Sequence, residues 1–166
     1  LIAAGSAEPG VRLAGALFHY WWVRGHYREA RATIDALLRS ERSLPDALRA
    51  EALGLAGAFA RLCEDFSAAR DLYEASLAIK RDLGAPTSMA ATLGNLGNLL
   101  RLLGDLEGAE RHLEEALGLY RAAGDGARVA NTLNNLGAVA EVRGDGAMAE
   151  ARYREGLAAA QAAGEE

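Results

Sequence analysis

The sequence predicts an all-α solenoid of about four helical hairpins, and two observations carry that prediction. One is a repeat. The stretch from Leu93 to Leu119, LGNLGNLLRLLGDLEGAERHLEEALGL, sets Leu96, Gly97, Ala109, Leu113, Ala116 and Leu117 around a Gly104-Asp105 joint. Forty residues on, the same positions hold Leu136, Gly137, Gly144-Asp145, Ala149, Tyr153, Gly156 and Leu157. Forty residues back they hold Ala56, Gly57, Glu64-Asp65, Ala69, Tyr73, Ser76 and Leu77. A degraded copy about thirty-nine further back reads Leu17, Phe18, Gly25-His26, Ala30, Ile34, Leu37 and Leu38. Self-similarity at such a period marks hairpins that bury their apolar faces by stacking. The other observation is composition. Beside 19 glycines, the commonest residues are Ala, Leu, Arg and Glu, all favourable in helices, and only three prolines interrupt. With 51% apolar and 25% charged residues the chain has enough apolar surface to fold.

The elements follow in order. Leu1 to Ala4 read as the last turn of a preceding helix, broken by Gly5, Ser6, Pro9 and Gly10. The first helix is expected from about Val11 to Arg24, with Leu13, Leu17, Tyr20 and Trp21 inward. Gly25 ends it, and a second helix runs from about Tyr27 to Arg39 on Ala30, Ile34, Leu37 and Leu38. Ser43 is expected to cap the next helix, with Pro45 in its first turn and Asp46 closing a capping box. That helix runs to about Glu64, and Asp65 caps its partner, which reaches about Leu83. Gly84-Ala85-Pro86-Thr87 is the next joint. The third pair breaks at Gly104-Asp105 and ends at Gly124-Asp125-Gly126. The fourth breaks at Gly144-Asp145 and ends near Ala163. The repeats span about 11–42, 43–84, 85–124 and 125–163, in one array without an internal linker, expected to be part of a longer protein.

A net charge of −5 argues against nucleic acid as a partner of this segment, which would need a basic patch for phosphate. Seventeen of the eighteen basic residues are arginine, and Lys80 is the one lysine. With Cys63 alone, no disulfide can form within the chain, which fits a reducing, cytoplasmic setting. No unbroken apolar run is long enough to cross a membrane. His19, His26 and His112 lie on different helices, away from Cys63 at any metal-ligand spacing. No nucleophile motif surrounds a serine. The expectation is no enzyme, no metal and no cofactor.

The motifs Leu93-Gly94-Asn95-Leu96-Gly97 and Leu133-Asn134-Asn135-Leu136-Gly137, each followed by Gly-Asp, resemble long tetratricopeptide repeats of bacterial signalling proteins. Their period exceeds the usual length of about 34 residues. Armadillo and HEAT repeats have comparable periods, but small residues at Gly57, Gly97 and Gly137, facing Ala69, Ala109 and Ala149, follow the tetratricopeptide pattern. The first repeat, from Leu13 to His26, departs from it with Phe18 in place of glycine. It resembles the segment that opens the repeat region of large bacterial regulators. In that family a nucleotide-binding switch ATPase precedes the repeats, often with a LuxR-type or other DNA-binding domain. No GxxxxGK[ST] phosphate loop occurs here. The resemblance implies a right-handed superhelix whose first helices line a concave face that binds a protein or peptide, as the sensor or regulatory arm of a transcriptional or signalling regulator. An adjacent ATPase domain of the same polypeptide is one such partner. The alternatives are end-to-end self-association through the apolar residues Met148, Tyr153 and Leu157, and a groove that senses a small ligand.

Positions three or four along from the core point into that groove. Candidates for partner contact are His19, Trp22, Arg61, Asn98, Arg101, Asn131, Asn134 and Glu141. Asparagine amides bond both N–H and C=O of an extended peptide, and arginine grips a carboxylate. Gly54 and Gly94 are read either as a bare groove floor or as helix-packing positions. Asn95 and Asn135 share one repeat position and are candidates for bonds between repeats. Trp21 falls on the core side and Trp22 beside it in the groove.

Overall fold

A computed structural model describes residues 8–40 and 44–164. Among them are eight α-helices: α1 (Glu8–Arg24), α2 (Tyr27–Ser40), α3 (Asp46–Leu62), α4 (Phe66–Asp82), α5 (Pro86–Leu102), α6 (Leu106–Ala123), α7 (Gly126–Arg143) and α8 (Gly146–Gly164). The expected last turn at Leu1 to Ala4 and the Ser43 cap lie outside the described residues. The chain divides into two compact units, Leu1–Gly84 and Ala85–Glu166, and the division falls on the boundary between the second and third repeats.

The joints are local chemistry. Asp65, Asp105, Asp125 and Asp145 cap α4, α6, α7 and α8, each carboxylate accepting from the backbone N–H three residues on, at 3.3, 2.9, 3.0 and 3.0 Å. Each such cap is worth about 1 kcal/mol. The residue just before the cap takes a left-handed backbone, with φ 82° at Gly104, 69° at Gly124 and 85° at Gly144. At the joint of α3 and α4 this conformation falls on Glu64, at φ 61°. Two starts differ from expectation. Glu8 rather than Val11 begins α1, because Pro9 in a first turn lacks only an N–H that would have no helical partner. Pro45 is the N-cap residue of α3, without a side-chain cap bond.

In the unit Leu1–Gly84, α1 packs on α2 and α3, α2 on α3, and α3 on α4. Ala56, Phe59, Ala69, Tyr73 and Leu77 are buried. A Cβ at Gly57 would stand 2.8 Å from the Tyr73 ring, so the ring lies directly on the α3 backbone. The inward face of α1 is the expected one in part: Trp21 is buried and Leu17 packs against the core, but Leu13 and Tyr20 do not. Val11, Ala14 and Trp21 are buried, while Leu13 is 59% and Tyr20 52% exposed. Phe18 turns the helix: its ring meets Phe59 of α3 at 5.1 Å between centroids, and Trp21 meets the same ring edge-on at 5.9 Å.

In the unit Ala85–Glu166, α5 packs on α6, α6 on α7, and α7 on α8. The glycine approach recurs. A Cβ at Gly97 would stand 2.7 Å from Leu113 and 3.1 Å from the Ala109 carbonyl, and one at Gly137 would stand 2.5 Å from the Tyr153 ring. Leu93, Leu96, Leu99, Leu113, Leu117 and Leu133 form the buried interior. On the outer flank Arg143 of α7 pairs with Glu110 of α6 at 2.8 Å. Arg152 and Glu155 of α8 pair with Glu114 and Arg121 of α6.

Candidate partner-binding face

The second unit holds an open recess of about 260 Å³. Helix α5 supplies Ala91, Gly94, Asn95 and Asn98, and α7 supplies Arg128, Asn131, Thr132 and Asn135. Both sets fall three or four residues apart, so one stripe of each helix faces the opening. Tyr120 of α6 completes it from below. Arg128 lies 5.5 Å above the Tyr120 ring, and its Nε is 3.3 Å from Asp125. Cation and ring therefore hold each other at the rim. Burial pushes the Tyr120 phenol up, with the Arg128 charge pulling the other way. Thr132 donates its hydroxyl to the Arg128 carbonyl at 2.7 Å and is satisfied within its own helix.

The asparagines differ from Thr132. Asn98 Oδ1 is buried without a hydrogen-bond partner, as is Arg101 Nε one turn further along α5. A buried amide oxygen left unpaired costs about 1–3 kcal/mol. Gly94 leaves the wall beside it open, with nothing within 4 Å of where its Cβ would stand.

The candidates separate by place. Asn98, Asn131 and Gly94 line the recess together. Asn134 does not; its Oδ1 lies 2.8 Å from the Cβ position of Gly156, on the side facing α8. Glu141 accepts a hydrogen bond from the Tyr153 hydroxyl at 2.9 Å, and that bond holds the phenol above its usual value. The Arg101 charge acts on the same phenol in the opposite sense. In the first unit Arg61 stands at the equivalent position beside Tyr73, whose phenol burial pushes up and the Arg61 charge draws back. Arg61 and Glu141 thus face tyrosines of their own hairpins.

Gly54 is not bare floor. A Cβ there would meet Ser76 Oγ at 3.5 Å and Lys80 Nζ at 3.8 Å. Ser76 donates to the Ala50 carbonyl at 2.7 Å, and burial lowers the Lys80 ammonium against the opposing pull of Glu51. His19 and Trp22 are exposed on α1 with ring centroids 5.9 Å apart. Asn95, Asn135, Arg128 and Tyr120 were not among the candidates for partner contact. The forty-residue recurrence of Asn95 and Asn135 was visible, but Tyr120 comes from a second helix that the groove pattern ignores.

Residues 88–162 match the family model of the tetratricopeptide repeat. The apo form of RapI superposes with a TM-score of 0.85 at 14% identity, over 98% of this chain and 60% of that one. The aspartyl phosphate phosphatase F of Bacillus subtilis does so at 0.83 and 12%, over 97% of this chain and 43% of that one. The repeats of a putative kinesin light chain from Podosopora anserina reach 0.78 at 15%, over 89% and 74%. The fold is of the tetratricopeptide type. This chain spans only about 60% of RapI, and such low identities speak for the fold alone. No curated protein matches the sequence. Among the described residues no helix is long and apolar enough to cross a membrane. No group of three or more His, Cys, Asp or Glu among them is placed to hold a metal.

Proposed function

We propose that this chain is a protein- or peptide-binding scaffold whose partner lies as an extended segment across α5 and α7. The observation that carries the reading is the open recess between α5 and α7, lined by four asparagines. Asn95, Asn98, Asn131 and Asn135 offer amide donors and acceptors to a peptide backbone, independent of its side chains. Arg128, and Arg101 beside the recess, add positive charge for a carboxylate. The match of residues 88–162 to a repeat model supports a binding role. The chemistry is recognition, not catalysis. The wider setting is a cytoplasmic bacterial regulator in which the repeats sense a partner and report to an ATPase domain of the same polypeptide.

The test is selection of extended peptides from a random display library on the purified chain, followed by calorimetry. Asn98→Ala removes about one or two hydrogen bonds and weakens binding about tenfold. Gly94→Leu fills the recess and abolishes binding while helix content holds or rises. Peptides that bind both variants as well as the parent, or a library that yields no binder, defeat the reading.

A further inference from the structure

Helices α6 and α8 carry the same apolar positions forty residues apart, and the two are treated differently. In α6, Leu113 and Leu117 are fully buried, with α5 packed on one side and α7 on the other. In α8, which packs on α7 and is tied to α6 by ion pairs, Tyr153 is 37% and Leu157 60% exposed. Met148 is exposed beside them. Only Ala149 and Gly156 of α8 are buried. An open recess of about 550 Å³ runs between Glu141, Glu150, Tyr153, Arg154 and Leu157. The corresponding flank of α6 is the one that receives α7.

Charge narrows the occupant. On α6, Glu110 takes Arg143 from the end of α7, and Glu114 takes Arg152 of α8. The equivalents on α8 are Glu150, of the same sign, and Arg154, of the opposite sign. They pair with each other along the helix, both largely exposed. A helix pair seated here needs a base at the end of its first helix, to meet Glu150, and an acid on its second, to meet Arg154. The hairpins of this chain place Thr33, Leu72, His112 and Arg152 at that second position, and none is a carboxylate. A second copy seated through its own α7–α8 would set Arg152 against Arg154.

We infer that the outer face of α8 is an interface for a further helical hairpin of the same kind but of different sequence, with arginine or lysine at the position of Arg143 and aspartate or glutamate at that of Arg152. Tyr153 and Leu157 supply the apolar area. The exposed charge pairs contribute little affinity and choose the partner and its register.

The experiment appends a second copy of residues 125–164 to the full chain, in two forms. One keeps the parent sequence and the other carries Arg152→Glu in the appended copy. Hydrogen exchange of the α8 amides is the readout. Exchange in the glutamate form is expected to slow at least about tenfold against the unextended chain, and about two- to fivefold more than in the arginine form. Arg154→Glu in the original α8 is expected to reverse that preference. Leu157→Glu is expected to cancel the protection while leaving the melting of the unextended chain in place, which separates loss of docking from loss of folding. Unchanged α8 exchange in both forms, equal protection by both, or no gain in helix content from the appended copy overturns the inference. So does an unextended chain that doubles its mass with α8 protected, since the occupant is then a second copy.

Discussion

Hairpins α1–α2 and α3–α4 of the first unit are built to one plan and fail it in opposite places. In α3–α4 the crossing is right: Gly57 brings the Tyr73 ring onto the α3 backbone. Its joint is wrong, because Glu64 holds the left-handed conformation that Gly104 and Gly144 hold elsewhere. In α1–α2 the joint is right, with Gly25 at φ 72°. Its crossing is wrong, because Phe18 stands where glycine would allow close approach. Phe18 sends its ring sideways to Phe59 of α3, and α1 packs far less extensively on α2 than α3 does on α4. Joint and crossing are therefore separable parts of the repeat. A hairpin keeps its outline when either is replaced, provided a neighbour takes up the displaced volume or strain.

The largest expected effect breaks a crossing. Gly97→Ala removes a helix-disfavouring glycine, a gain of about 1 kcal/mol by propensity alone. Its Cβ would meet Leu113 at 2.7 Å and the Ala109 carbonyl at 3.1 Å, and backbone cannot swing aside. Overpacking of this kind costs about 1–3 kcal/mol. The net is expected to be a loss of up to about 2 kcal/mol by urea unfolding. A stabilised variant would show that the helices separate freely and that glycine does not set their approach.

A smaller effect of opposite sign concerns the joint. At Glu64 a side chain in the left-handed region costs about 1 kcal/mol or somewhat more. Glu64→Gly is expected to raise stability by a little under 1 kcal/mol, part of the relief being returned as unfolded-chain entropy. The same measurement on Gly104→Ala is expected to show a loss of similar size. No gain at position 64 would mean that the strain is relieved by something other than glycine.

The joints were legible in the sequence because they are local. An Asp cap is written into three or four adjacent residues and depends on nothing distant, as at Asp105 and Asp145. The phase of α1 was legible only in part: Leu17 and Trp21 face inward as expected, Leu13 and Tyr20 do not. Leu13 and Tyr20 satisfy helical periodicity as well as Val11 and Ala14 do, and the choice is made by Phe59, forty-one residues from Phe18. The recess was half legible. Asn98 and Asn131 followed from repeat position, whereas Asn134, sharing its position with Gly94, turns to α8 because Gly156 leaves it room there. Tyr120 was missed because its partner Arg128 lies on the next hairpin.

The smallest effect tests how the two hairpins of the first unit are joined. Asp65 caps α4 and also receives Arg31 of α2 at 2.8 Å. The Arg31 hydrogen bond, and after it the Ala68 N–H, hold the carboxyl below its ordinary value of 3.8. A carboxyl lowered by folding binds its proton more weakly in the native state. Its contribution is complete above the unfolded value and is lost as pH falls from there through the lowered native value. The gap in melting temperature between the parent and Asp65→Asn is therefore expected to be constant near neutrality and to narrow below about pH 4. Arg31→Gln should leave a smaller gap of the same sign, since the N-cap bond to Ala68 remains when the ion pair is gone. A gap independent of pH down to pH 2 would mean that the carboxylate contributes by shape alone, and that α2 and α4 are held together by packing through α3.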